Sequence, residues 1–187
     1  MQTKVLLIGG SAGSIPVLLQ LLPDIHVDIG FPIIIILHRK AYPKSTLHQL
    51  FETSTAMKVQ EVEDKTKLEN GTIYLVPADY HLLFENEQYI ALDASEKVNY
   101  SRPSIDVTFE SAARIFHDTA AAILLSGGSQ DGVEGLKTIL YHHGKVAIQD
   151  PKTAEVSYMP QQALEKIPEI SQLLPEHMAT YINHLKK

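Results

Sequence analysis

The chain has 187 residues, 44% of them hydrophobic and 20% charged, with a formal net charge of −6 and no cysteine. That length suffices for one domain with a sizeable core. The acidic balance argues against nucleic acid and against an anionic membrane surface as main partners. The lack of cysteine excludes disulfides, thiolate metal sites and a cysteine nucleophile, and it fits a reducing compartment.

No apolar run approaches the roughly 20 residues that span a bilayer, so no membrane insertion is expected. The N-terminal apolar segment is cut by the glycines at 9–13 and by Pro16, with no clear cleavage site after it. That argues against a signal peptide and leaves a cytoplasmic location as the expectation.

Val5-Leu6-Leu7-Ile8 reads as a buried strand. Gly9-Gly10-Ser11-Ala12-Gly13 makes a sharp turn, and residues 15–22 form a helix bearing Leu18, Leu19, Leu21 and Leu22. Residues 31–37 are a continuous, mostly β-branched run, the mark of a strand buried on both faces in a parallel sheet. His38-Arg39-Lys40 follows at once. Ser45 is expected to open a helix to about Thr53, with Leu47, Leu50 and Phe51 on one face. Residues 58–62 and 72–76 read as strands, separated by the turn signal Asn70-Gly71, with Pro77 stopping the second.

Residues 81–85 and 88–93 flank Asn86-Glu87 as a hairpin. Ser104 caps a helix from 105 to about 117. Residues 120–125 are a third strongly buried strand, and Ser126-Gly127-Gly128-Ser129-Gln130-Asp131-Gly132 is a second glycine-rich turn. A helix over 133–141, a strand over 145–149 and a loop over 150–158 come next. Pro160 is expected to start a short helix to 166. A small strand near 171–173 and a helix from 175 to about 185 complete the chain. Strands alternate with helices, with one hairpin inserted. This predicts a single α/β domain with a mainly parallel sheet, and there is no linker, repeat or low-complexity segment.

Sites in open α/β sheets form at the carboxyl ends of strands. The polar residues just past the predicted strands are Ser11, His38, Asp79, Asp131 and Asp150. Three of them suit acyl transfer: Ser11 attacks, His38 takes its proton, and Asp131 orients the imidazole and stabilises its cation. Ser11 sits at a helix N-terminus, where free N–H groups face developing negative charge. Gly127 and Gly128 let a second backbone segment approach and lend an N–H to the oxyanion. Gly9-Gly10-Ser11-Ala12-Gly13 matches the Gly-x-Ser-x-Gly elbow string, but the order Ser, His, Asp is not that of the α/β-hydrolases.

The plainer readings stand beside this one. Such a turn commonly cradles a phosphate or only turns the chain. His38 can simply bond a carbonyl, and Asp131 can simply cap a helix. The remaining histidines show no ligand spacing, and His142-His143 sits at a helix end where histidine suits the dipole. No metal site is expected.

With these motifs in register, the chain resembles the catalytic domain of the CheB protein-glutamate methylesterases from about Lys4 to its last helix. The resemblance rests on Gly9-Gly10-Ser11-Ala12-Gly13, the strand ending at His38, Tyr74-Leu75-Val76-Pro77-Ala78-Asp79-Tyr80-His81, Arg102-Pro103-Ser104-Ile105-Asp106-Val107, and Leu125-Ser126-Gly127-Gly128-Ser129-Gln130-Asp131-Gly132. It implies a doubly wound, mainly parallel sheet with helices on both faces. It implies a triad of Ser11, His38 and Asp131, with backbone support to the oxyanion from Ala12, Gly127 and Gly128. It implies hydrolysis of γ-glutamyl methyl esters on chemoreceptor cytoplasmic segments, with glutamine deamidation in some members, and no cofactor.

The chain departs from the family where threonine, methionine, glutamine and methionine are usual: it has Ala12, Gly128, Leu37 and Arg39. Arg39 places a positive charge beside the base and points to an anionic partner. The family commonly carries an N-terminal receiver domain, whereas this chain starts at its first strand. Control is then expected from expression or a separate regulator. The alternative is a CheB-like module kept for binding and signalling with weakened catalysis.

Overall fold

The computed structural model describes residues 2–40 and 46–186. Among the described residues nine strands and six α-helices follow one another in chain order. They are β1 (Val5–Gly10), α1 (Ser14–Leu21), β2 (Ile33–Leu37), α2 (Leu47–Ser54), β3 (Lys58–Glu61), β4 (Thr72–Leu75), β5 (His81–Phe84), β6 (Ile90–Asp93), α3 (Ile105–Phe116), β7 (Ala120–Leu124), α4 (Val133–Tyr141), β8 (Lys145–Gln149), α5 (Tyr158–Lys166), β9 (Ser171–Leu173) and α6 (Pro175–His184). Seven strands form one sheet in the order β3-β4-β2-β1-β7-β8-β9, and β5 and β6 pair separately as an antiparallel hairpin. Every pairing in the large sheet is parallel.

The sheet is parallel because its central strands have no polar face. All residues of β1, β2 and β7 are buried, and such strands need a layer of helix on each side. Alternation along the strands splits the core in two. Val5, Leu7, Ile34 and Ile36 pack with Phe109, Ala112 and Phe116 of α3, with Leu136 and Ile139 of α4, with Met159 and Ala163 of α5, and with Leu82, Phe84 and Ile90 of the hairpin. Leu6, Ile8, Ile33 and Ile35 pack with Val17, Leu18 and Leu21 of α1, Phe51 of α2, and Met178 and Ile182 of α6. The hairpin lies on the α3 side, where Ser111 Oγ accepts the Phe84 N–H at 2.8 Å.

The expected elements are present, with small shifts at their ends. The expected start of α2 at Ser45 lies outside the described residues. The fifth helix begins at Tyr158, two residues before Pro160. Proline is tolerated there because the first-turn N–H groups have no intrahelical acceptor. The Met159 N–H instead reaches the Gly127 carbonyl at 2.9 Å, which ties α5 to the loop after β7.

Ile35 is fully buried in β2 at the middle of one core. Truncation there removes packing that neighbours on two strands cannot refill. Ile35→Ala is expected to lower unfolding stability by about 2–5 kcal/mol, read from the midpoint of urea denaturation at unchanged slope.

Candidate active site

The strand order puts β1 between β2 and β7, where the direction of winding across the sheet reverses. That reversal opens a crevice at the carboxyl edge. The register pairs Gly10 with Leu37, so Ser11 and His38 leave neighbouring strands at the same level. The His38 N–H donates to the Gly10 carbonyl at 3.1 Å. On the other flank, Leu125 N–H donates to the Gly9 carbonyl at 2.8 Å and Ser11 N–H to the Ser126 carbonyl at 2.9 Å. The β1–β7 ladder therefore continues past the last strand residue and carries Ser11 with it.

The turn at Ser11 is fixed by contacts that leave no room for larger residues. Gly13 has φ 78°, and a Cβ there would lie 2.6 Å from Glu155 Cβ and 2.7 Å from Ser126 Oγ. Such a position favours glycine on both counts. Ser126 is fully buried. Its hydroxyl donates to the Ala12 carbonyl at 2.7 Å and accepts the Val156 N–H at 2.9 Å, stitching three loops together. A Cβ on Gly127 would lie 2.9 Å from Ser11 Cβ and 2.7 Å from Met159 Cε. The second glycine turn is there to let this close approach happen.

The three backbone supports expected from the sequence separate here. The Gly127 N–H donates to the Val156 carbonyl at 3.0 Å, so it is already paired and cannot serve an oxyanion; Gly127 supports the loop instead. The amides of Ala12 and Gly128 make no hydrogen bond among the described residues.

Asp131 is fully buried and surrounded by donors. His38 Nε2–H donates to its Oδ2 at 2.7 Å. The Ile105 N–H reaches the same oxygen at 2.6 Å, and the Ser104 hydroxyl and Asp106 N–H reach Oδ1 at 2.8 and 3.0 Å. The carboxylate thus sits on the N-terminus of α3, where free amides and the positive dipole end favour an anion. Burial alone would raise its pKa, but the His38 hydrogen bond, the Asp106 and Ile105 amides and the Ser104 hydroxyl outweigh it and hold Asp131 below the usual carboxylate range. An ionised Asp131 fixes the proton on His38 Nε2 and leaves a lone pair on Nδ1. Among the described residues neither Ser11 Oγ nor His38 Nδ1 makes a hydrogen bond. Catalytic hydrogen bonds of this kind often close only with substrate in place.

Asp106, in the first turn of α3, does the same service for α4. Its Oδ1 accepts the Gly132 and Gly135 N–H groups at 2.8 and 2.7 Å, and Asn99 Nδ2 donates to its Oδ2 at 3.0 Å. Burial pushes the Asp106 carboxyl up to about 7, helped by the negative charge of Asp131 and opposed by the Gly135 and Gly132 amides. Behind Ser104, buried His81 accepts the Ser104 N–H at Nδ1 (3.1 Å) and donates from Nε2 to the Glu96 carbonyl (3.0 Å). Ser104, His81 and Ser126 are positioning residues that sequence reasoning did not assign to the site, while Asp106, which the sequence leaves as either shaping the site or only capping a helix, caps α4. The Arg102-Pro103-Ser104-Ile105-Asp106 string was the available signal.

Beside His38 lies an open pocket of about 440 Å³ lined by Arg39, Lys40, Asp79, Lys97, Tyr100, Ser101 and Arg102. Among the described residues its lining holds Arg39, Lys40, Lys97 and Arg102 against the single acid Asp79. Arg39 is less available to the base than its place in sequence implies, because its guanidinium pairs with Glu61 and donates to the Val76 carbonyl. Asp79 lines this pocket but is not bonded to the triad. Asp150 accepts the Lys152 N–H at 2.9 Å and only caps the turn after β8.

The raised pKa of Asp106 has a definite sign. Between the ordinary carboxylate pKa and about 7, the folded chain holds a proton here that the unfolded chain has lost, so this group lowers stability as pH rises through that window. Asp106→Asn keeps the acceptor for both amides and removes the titration. Its stability relative to wild type is expected to rise from about pH 4 to about pH 7 and then level off, measured by urea denaturation across pH. A difference that stays flat or falls over that range contradicts the assignment.

The family model for CheB methylesterase matches residues 6–182. A Leptospira interrogans relative, described as a candidate protein-glutamate methylesterase/protein-glutamine glutaminase, is 37% identical over 165 residues, covering 88% of this chain and 86% of its own. The Thermotoga maritima protein-glutamate methylesterase/protein-glutamine glutaminase is 28% identical over 166 residues, covering 87% of this chain and 48% of its own. The crystal structure of the Thermotoga maritima CheB methylesterase catalytic domain superposes with a TM-score of 0.93 at 26% identity, over 99% of this chain and 100% of that one. Among the described residues no helix is long and apolar enough to cross a membrane. A doubly wound sheet with this carboxyl-edge arrangement, matched over nearly its whole length by model, relatives and solved fold, belongs to the CheB methylesterase family.

Proposed function

We propose that this CheB-family esterase hydrolyses γ-glutamyl methyl esters on cytoplasmic segments of chemoreceptors, with Ser11 as nucleophile, His38 as general base and Asp131 as its anchor. The observation that carries the assignment is the 2.7 Å bond from His38 Nε2 to a buried, helix-capping Asp131, with Ser11 level with His38 on the next strand. Ser11 Oγ attacks the ester carbonyl and passes its proton to His38 Nδ1. The charge that develops on the carbonyl oxygen falls to the amides of Ala12 and Gly128, which have no other acceptor among the described residues. The tetrahedral intermediate collapses and methanol leaves with the proton from His38. Water then enters, is deprotonated by His38 in turn, and releases the glutamate side chain from Ser11.

The same acyl-enzyme forms from a glutamine, with ammonia as the leaving group. The basic pocket beside His38 suits an acidic, glutamate-bearing segment. No step calls for a metal or an organic cofactor.

A second reading is a binding module with weakened turnover, favoured by the absence of a Ser11–His38 hydrogen bond and by Ala12 and Gly128 at positions where the family usually differs. A fluorophosphonate probe separates the two: labelling of Ser11 marks a competent nucleophile, and no labelling of folded protein supports the binding module.

Ser11→Ala is expected to unfold at the wild-type temperature and to release no detectable methanol from methyl-labelled receptor, a loss of about 10⁴ or more in kcat. Methanol release near the wild-type rate would remove Ser11 from the mechanism.

A further inference from the structure

The pole of the molecule opposite the triad carries a histidine pair that the esterase chemistry does not use. His117 ends α3 and His142 ends α4, each as the residue after the last helical one. Their Nδ1 atoms are 3.3 Å apart, and their ring centroids are 5.3 Å apart. Two nitrogens held about 2.0–2.1 Å from one tetrahedral zinc ion stand about 3.3 Å apart, with their ring centres about 5 Å apart. The spacing of the pair is thus that of two imidazoles sharing one ion. Without an ion, one Nδ1 must carry a proton and donate it to the other.

The C-terminal ends of α3 and α4 both lie here, where their negative dipole ends favour a cation. The pair opens onto a broad surface depression shared with Asp118, Tyr141 and His143, so an ion has access from solvent. Among the described residues no third histidine or carboxylate completes a protein cage.

We propose that His117 and His142 form a two-imidazole surface site for a borderline transition-metal ion, zinc or copper(II), whose remaining positions are filled by water. Imidazole suits these ions, while magnesium and calcium prefer oxygen. The bound ion clips the C-terminal ends of α3 and α4, the same two helices whose N-terminal ends are joined through Asp131 and Asp106.

The test is a zinc titration of the whole chain by calorimetry, paired with thermal unfolding. The wild type is expected to bind zinc and to gain thermal stability, and an equal concentration of magnesium is expected to do neither. His142→Gln and His117→Ala are each expected to lose one bound ion per chain and the stabilisation. His177→Ala, at an exposed position on another helix, is expected to keep both. Should His117→Ala fail to fold, His142→Gln alone decides. Wild type that binds no zinc, or a His142→Gln variant that binds as wild type does, overturns the proposal. Ester hydrolysis is measured separately, so either claim can fail without the other.

Discussion

The site is held by an exchange of carboxylates between two helices. Asp131 lies just before α4 and caps α3, while Asp106 lies inside the first turn of α3 and caps α4. Each helix thus has its orphan amides satisfied by an acid from the other's sequence neighbourhood. Both acids are buried, which is tolerable only because each accepts several hydrogen bonds. The arrangement fixes the two helix starts against each other and sets one oxygen of Asp131 at His38. The orientation of the base is therefore a by-product of how α3 and α4 pack.

Their burial divides the two acids by role. Asp131 receives a histidine, two amides and a hydroxyl, and remains an anion. Asp106 receives two amides and a carboxamide in the field of that anion, and holds its proton more readily. Two full negative charges so close together in a buried place would repel strongly. Letting one of them relax toward neutrality keeps the other charged beside His38.

Ser11, His38 and Asp131 could be singled out in the sequence because they follow strongly apolar runs and glycine turns. Four consecutive isoleucines before His38 leave little choice of strand or of strand end. The supporting residues were less legible because capping rules read the local sequence, and here Asp131 caps α3 amides 26 and 25 residues away. Ser104 does cap its own helix as expected, accepting from Val107 N–H at 3.4 Å, but its hydroxyl also serves Asp131. Ser126 looked like one more turn residue, and only its buried position between Ala12 and Val156 shows that it pins the nucleophile's loop. Gly127 was read as an amide donor, but the neighbouring Val156 carbonyl already takes that proton. The histidine pair joins residues 25 apart in sequence, a separation that no ligand motif covers.

The rungs that run past the ends of the central strands have a kinetic meaning. Ser11 and His38 hang from main-chain bonds to Ser126 and Gly10 that extend the ladder of the most deeply buried strands. Segments of that kind exchange their amide protons only when the whole molecule opens. Ser11 and His38 should therefore share the protection of the core rather than the looseness of surface loops, and heating should abolish turnover at the same temperature at which the central strands come apart.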